Sequence, residues 1–296
     1  MDYSIRFPNL NINFEHVGKN FSIGGFEVAF YGMIIAFGML GAILMANLIA
    51  KKIGHKTEIL FDVALICIPA AIVGARLYYV AFEWEHYKND LMKIFDIRQG
   101  GLAIYGGIIA AVIAAIFVIR YKKDSFWQIA DIAAPCMILG QVVGRWGNFF
   151  NREAFGQYTD GLFAMQLPVS AVRKGEITQQ MWDNVVSIGG VDYIQVHPTF
   201  LYESMWNFAL MVLLLIYFKH RKFDGEIFLL YMLGYGVGRA WIEALRTDQL
   251  VISGLGLPAS QLLAIVLVAG SLAWIIIARI KAKKKKEVAV EEATQE

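Results

Sequence analysis

Residues 129–156 read "IADIAAPCMILGQVVGRWGNFFNREAFG". Between 129 and 143 the only charged side chain is Asp131, whereas the next ten positions bring Arg145, Asn148, Asn151, Arg152 and Glu153. A bilayer takes about 20 apolar residues to cross as a helix, and only a helix or a closed barrel satisfies its backbone in hydrocarbon. The stretch therefore reads as the end of a membrane-crossing helix that delivers a polar cluster where it exits.

The rest of the chain supports that setting. Of 296 residues, 57% are hydrophobic and only 18% charged, with a mean hydropathy of +0.51; soluble domains carry about a quarter charged residues. Seven apolar runs stand out, at roughly 26–49, 59–82, 102–120, 128–144, 199–218, 226–245 and 258–279. The expected fold is an all-α polytopic membrane protein of seven transmembrane helices, four over 26–145 and three over 199–280. Residues 1–25, which alternate in part, form an expected arm with some extended structure, and 146–198 a small head of short interfacial helices or strands inserted between spans four and five, with a charged tail at 281–296. The first 25 residues lack the basic-then-apolar order of a cleavable signal, so the first span is expected to be retained. Cys67 and Cys136 fall inside spans and read as buried free thiols.

Lysine and arginine set the orientation. Lys51, Lys52 and Lys56 follow span one, Arg120, Lys122 and Lys123 span three, Lys219, Arg221 and Lys222 span five, and "RIKAKKKK" span seven. These segments share one side in a seven-span topology, and by the positive-inside rule that side is the cytoplasm. The N-terminus, arm and head then face outward and the C-terminus inward. Lys283–Lys286 reads as an anchor on anionic headgroups.

A charge at the bilayer centre costs about 2.5–3.5 kcal/mol on insertion scales, which marks each one as a site candidate. In "GYGVGRAWIEALRTD", Arg239, Glu243 and Arg246 stand at i, i+4 and i+7 and share a helical face. One glutamate cannot neutralise two arginines, so the surplus favours an anionic guest, and the abundant one in a membrane is a phospholipid phosphate. Near a span's end the ordinary reading is a side chain snorkelling to water, and Arg246 and Arg76 are both open to it. "GGLAIYGG" at 100–107 offers glycine-flanked N–H groups, Gly106 and Gly107 among them, as an anion cradle. "HPTFLYE" at 197–203 brings His197 and Glu203 to the entrance of span five. No metal-ligand spacing is present, so arginine is expected to hold the phosphate, with no cofactor and no metal. A lipid or anion transporter with an arginine-lined site is the competing class; it calls for internal repeats and midplane sites, which the sequence lacks.

The pattern G-R-x-G-N-F-x-N-x-E-x-x-G, carried by Gly144, Arg145, Gly147, Asn148, Phe149, Asn151, Glu153 and Gly156, closely resembles the signature of the prolipoprotein diacylglyceryl transferase family. "FYGMI" at 30–34, "GARLYYV" at 74–80, "GGLAIYGG", "HPTFLYE" and "GVGRAWIEALR" extend the resemblance along the whole chain. It implies an enzyme that moves the diacylglyceryl group of phosphatidylglycerol onto the lipobox cysteine of a prolipoprotein signal peptide. Its partners are those two substrates and the surrounding membrane lipids, with no nucleic acid and a single chain expected to suffice. The residues carried over are Tyr31, Arg145, Asn148, Glu153, Arg239, Glu243 and Arg246. Arg145, Asn148, Asn151, Glu153, Gly156, Arg246, Arg76, Gly106 and Gly107 are expected at the lipid, and Arg239, Arg145, Glu243, Tyr31 and Tyr105 at the reaction. Many relatives have histidine where this chain has Tyr105. Two readings stay open for that phenol: a base tuned by arginine, or a hydrogen-bond donor beside a thiol ionised by the positive field.

Overall fold

The computed structural model describes residues 3–97, 100–249, 252, 256 and 258–295. Met1 and Asp2 of the expected arm, Glu296 of the expected tail, and the side chains of Lys285 and Lys286 in the lysine run lie outside the described residues. Nine helices are found among the described residues: α1 Phe30–Ile53, α2 Glu58–Phe82, α3 Trp84–Tyr87, α4 Ile104–Tyr121, α5 Phe126–Asn151, α6 Gln179–Asp183, α7 Thr199–Tyr217, α8 Glu226–Glu243 and α9 Ala259–Gln295. Six stretches are long and apolar enough to cross a membrane: α1, α2, α4, α5, Thr199–His220 and Ala259–Lys284. The expected seventh is α8, which is helical for 18 residues but carries Glu226, Arg239 and Glu243 and so falls short of an apolar span. Helix α5 continues through the signature to Asn151, past the expected end near 144, and α9 stays helical through the expected tail to Gln295.

The all-α expectation fails over the arm and head. Strands β1 Tyr3–Phe7, β2 Ile12–Val17 and β3 Asn20–Ile23 lie in the arm, β4 Phe26–Ala29 takes the start of the expected first span, and β5 Met165–Pro168, β6 Val186–Ile188 and β7 Val191–Val196 lie in the head. One antiparallel sheet, in the order β2-β1-β5-β7-β6, joins arm to head, with Arg6 opposite Gln166. The cause is period-two patterning: Ile5 and Phe7, Met165 and Leu167, and Ile194 and Val196 all point into one apolar core with Phe149, Phe155 and Phe200. β3 and β4 form a separate hairpin whose turn is Gly24 and Gly25, both at positive φ.

The chain divides into two compact units, Ile43–Ile132 and the remainder, Met1–Ala42 with Ala133–Glu296. In the first, α2 and α4 pack closely because both faces are small: a Cβ on Gly106 would meet Tyr78 Cβ at 2.2 Å, and one on Gly74 would meet Ala110 Cβ at 2.2 Å. Lys122 pairs with Asp62 at 2.5 Å and His55 with Asp124 at 3.3 Å at one end of this pair. In the second unit glycines again set the packing. Gly234 and Gly238 of α8 face Leu210 and Trp206 of α7, and Gly236 faces Val268 of α9. The Trp206 indole donates to the Gly234 carbonyl at 2.9 Å, and Ser204 of α7 donates to the Val142 carbonyl of α5 at 3.1 Å. Helices α5, α7 and α8 thus share an interior, and the candidate site is built on it.

Candidate active site

Glu203 is the hub. Its side chain is 4% exposed, and Arg145 of α5 meets it at 2.5 Å. Arg239 of α8 lies 3.4 Å from both Glu203 oxygens, too long for a strong hydrogen bond, and closer, at 2.6 Å, to Glu243. That second contact is an ion pair without hydrogen-bond alignment. Glu243 is fixed from its other side by the Ser260 hydroxyl at 2.5 Å, and Gln249 donates to its backbone carbonyl. Arg246 sits 3.9 Å from Glu243 and is gripped in a fork by Asp248, at 2.8 and 2.7 Å.

The surplus of positive charge expected from the sequence is corrected by this geometry. Arg145, Arg239 and Arg246 face Glu203, Glu243 and Asp248, three cations against three carboxylates. Asp248 escaped the sequence reading altogether, although an acid two residues after Arg246 is the signal for such a clamp. Burial alone raises the Asp248 carboxyl, but the hydrogen bonds and charge of Arg246 outweigh it and hold it below its ordinary value. Burial likewise works against the Arg246 charge, and Asp248, Glu243 and Glu203 more than restore it.

The signature folds into a second polar knot. Asn148 and Asn151 both donate to one Glu153 oxygen, at 3.0 and 3.2 Å, so the glutamate orients amides rather than an arginine. Arg152, counted in the polar cluster of the sequence but given no role there, is 4% exposed and donates to the carbonyls of Val17 and Phe150, tying the arm to the end of α5. Tyr31 packs against Gly147, where a Cβ would meet the ring at 2.6 Å, so this glycine seats the tyrosine one residue from Asn148. Beyond α5 the chain becomes a strap. Gly156 donates to the His197 carbonyl at 2.9 Å, Gln157 to the Leu245 carbonyl at 2.8 Å, and Thr199 to the Ala154 carbonyl. A Cβ on Gly156 would sit 2.7 Å from His197 Cβ and 2.9 Å from the Leu245 carbonyl oxygen. Gly156 is thus a packing residue of the strap, which brings the signature beside the start of α7 and the end of α8. His197 bonds the Tyr202 hydroxyl at 3.2 Å, and burial lowers its pKa, leaving the ring neutral at pH 7.

Three expectations on the other unit are revised. Arg76, 6% exposed, directs all five of its N–H donors to backbone carbonyls: Ile94 at 2.7 Å, Gly100 and Gly101 at 2.9 Å, Lys93 at 2.6 Å and Asp96 at 3.1 Å. It clasps the 93–101 loop and has no donor left for a phosphate. Gly106 and Gly107 are buried against α2 and serve close packing instead of an anion cradle, because Tyr78 Cβ and the Ala71 carbonyl lie where their side chains would be. Tyr105, the second residue of α4, is 42% exposed.

The sequence profile of the prolipoprotein diacylglyceryl transferases matches residues 19–277. A phosphatidylglycerol–prolipoprotein diacylglyceryl transferase of Bacillus cytotoxicus is 41% identical over 263 residues, covering 87% of this chain and 90% of that protein. The similarly named proteins of Bacillus cereus and Bacillus mycoides are 42% identical over 262 residues, with the same coverage. The profile match spans the signature and every helix from α1 to α8, and matches of this length and identity establish that the chain belongs to the prolipoprotein diacylglyceryl transferase family.

Proposed function

We propose that this chain transfers the sn-1,2-diacylglyceryl group of phosphatidylglycerol to the lipobox cysteine of prolipoproteins. The thiolate sulfur attacks the glyceryl carbon that carries the phosphate, a carbon–sulfur bond forms, and the carbon–oxygen pair leaves with glycerol phosphate. Such a step needs fixed positive charge where the leaving group gains electrons, and a field or base that ionises a thiol of pKa near 8.5.

One observation carries the reading: Arg145 and Arg239, from two helices, converge on Glu203, and Arg239 holds it only loosely at 3.4 Å. A carboxylate between two guanidiniums occupies the place a phosphate would take. The incoming phosphate displaces the loose contact first, while Glu243, braced by Ser260, keeps Arg239 aimed. Asn148 and Asn151, pre-oriented by Glu153, are placed for lipid oxygens, and Tyr31 lies beside them. Arg246 acts with Asp248 as a support for Glu243 and the strap. Tyr105 is assigned, from its place in the glycine-flanked motif alone, as a hydrogen-bond donor in the reaction, and no metal or cofactor takes part.

The proposed topology has α8 as the sixth of seven spans, with Arg239 facing the α5–α7–α8 interior, the arm and head outside and the C-terminus in the cytoplasm. Single cysteines at Lys174 and Lys284 should then label from opposite sides with an impermeant reagent; equal labelling from outside overturns it. For the chemistry, purified monomeric protein mixed with phosphatidylglycerol and a lipobox peptide should yield the thioether and glycerol phosphate in equal amounts. Peptide left unmodified by folded protein, or lipid moved without chemistry, would defeat the reading.

A further inference from the structure

One helical turn away from the ion cluster, each of its three helices carries another polar side chain. Gln141 stands four residues before Arg145 on α5, Asn207 four after Glu203 on α7, and Tyr235 and Tyr231 four and eight before Arg239 on α8. Because α7 runs opposite to α5 and α8, these steps all lead the same way, to one layer. The Gln141 amide donates to the Tyr231 hydroxyl at 2.9 Å, and Tyr235 lies within electrostatic reach of Arg145, Arg239, Glu203 and Glu243.

The layer is incompletely satisfied. Asn207 is 1% exposed, yet neither its amide nitrogen nor its oxygen has a hydrogen-bond partner, and the Gln141 oxygen is also bare. Buried amides are nearly always bonded, so two amides left open beside an ion cluster point to a missing ligand. The open atoms include both a donor and acceptors. An anion cannot satisfy an acceptor and an alkyl chain satisfies neither, whereas a hydroxyl group can do both.

Resting on the transferase reading, we infer that Asn207 and Gln141 form a polyol subsite that takes the hydroxyl groups of the lipid's glycerol headgroup while the arginines hold its phosphate. The phosphate leaves with the headgroup glycerol still esterified to it, so the same amides hold the product as well. A site built to bond a hydroxyl rejects the analogue that lacks it, because its buried groups are then left unpaired.

The test compares phosphatidylglycerol with phosphatidylpropanol, whose headgroup keeps the carbon skeleton without hydroxyls, as diacylglyceryl donors to one lipobox peptide. Wild-type protein is expected to favour phosphatidylglycerol by at least about tenfold in kcat/KM. Asn207→Leu and Gln141→Leu should each erase most of that ratio by slowing phosphatidylglycerol, with phosphatidylpropanol changed by less than about twofold. Equal loss on both lipids would mean the amides hold water or shape the helix packing, and the inference fails; so does a wild type without preference. If the leucine variants do not fold, wild-type protein alone decides: glycerol phosphate should inhibit at about tenfold lower concentration than propyl phosphate, and equal inhibition overturns the subsite. A folded wild type inert on both lipids would sink the transferase reading itself. The subsite is then judged by equilibrium binding of the two lipids, where preference for phosphatidylglycerol lost in Asn207→Leu supports it and no preference refutes it.

Discussion

Arg76 and Arg239 are both largely buried arginines on apolar helices, and their partners differ in kind. Arg76 donates to five backbone carbonyls, whereas Arg239 faces two carboxylates, one close and one loose. Carbonyls belong to the chain and cannot leave, so an arginine saturated by them is a rivet. A carboxylate can be exchanged for another anion, so an arginine held by carboxylates remains available to a guest. Burial and charge alone do not separate the two cases; the identity of the acceptor does.

The largest expected effect lies on the exchangeable side. Arg239→Ala or Arg145→Ala should lower turnover per folded molecule about 10²–10³-fold, the cost of losing one donor to developing charge. Lysine at either position should restore only a small part, since it lacks the planar fork. Full activity in a folded alanine variant would remove both arginines from the leaving-group role. On the rivet side the pattern should invert. Arg76→Ala strands five carbonyls and should cost about 3 kcal/mol or more in stability, read as a lower melting temperature in detergent. The fraction that stays folded should turn over within about threefold of wild type. A stable Arg76→Ala protein without activity would show that the two arginines are alike after all.

A smaller effect is expected at Tyr105. Removing only its hydroxyl, in Tyr105→Phe, should slow turnover about two- to tenfold, the worth of one hydrogen bond, and leave the pH profile in place. A dead variant that also loses the alkaline limb would make this tyrosine the base. The smallest effect concerns His197, which touches the strap rather than the ion cluster. Burial sets its folded pKa below the unfolded value near 6.5, so the unfolded chain takes up the proton first. Stability is therefore full above about pH 6.5 and is lost as pH falls through the folded value. The melting temperature should decline over that range, and His197→Asn should flatten the decline; an unchanged slope would place the acid sensitivity elsewhere.

The contrast between the two arginines was only half legible in the sequence. Charges in apolar runs are conspicuous because they are costly, which is why Arg145, Arg239 and Glu243 could be singled out by position. The acceptors of Arg76 are backbone carbonyls, present at every residue, and no side chain announces them. Glycine was ambiguous for a related reason: the same residue opens an N–H to an anion or lets a helix approach, and Gly106, Gly107 and Gly156 do the second. Glu203, near the start of α7, was open to the ordinary reading of an interfacial carboxylate, and only the meeting of α5 and α8 makes it a hub. The helices were readable from apolar length. Alternation at 4–14 suggested extended structure in the arm, but the sheet itself was not readable, since it pairs Arg6 with Gln166 across most of the chain.

The strap has a consequence for the order in which the molecule can be made. The carbonyl of Phe155 accepts from Thr247, 92 residues later, and the Leu245 carbonyl takes the Gln157 N–H. At about 5–20 residues per second, a ribosome needs roughly 5–20 s to supply the second partner after the first has emerged. Until then the signature segment is held by its own helix, by the arm through Arg152, by Tyr31, and by His197 and Thr199 as they emerge, and water must serve the Phe155 carbonyl. Assembly of the site is thus one of the last events in biogenesis: every chain released before position 247 carries the signature arginine without the segment that closes over it.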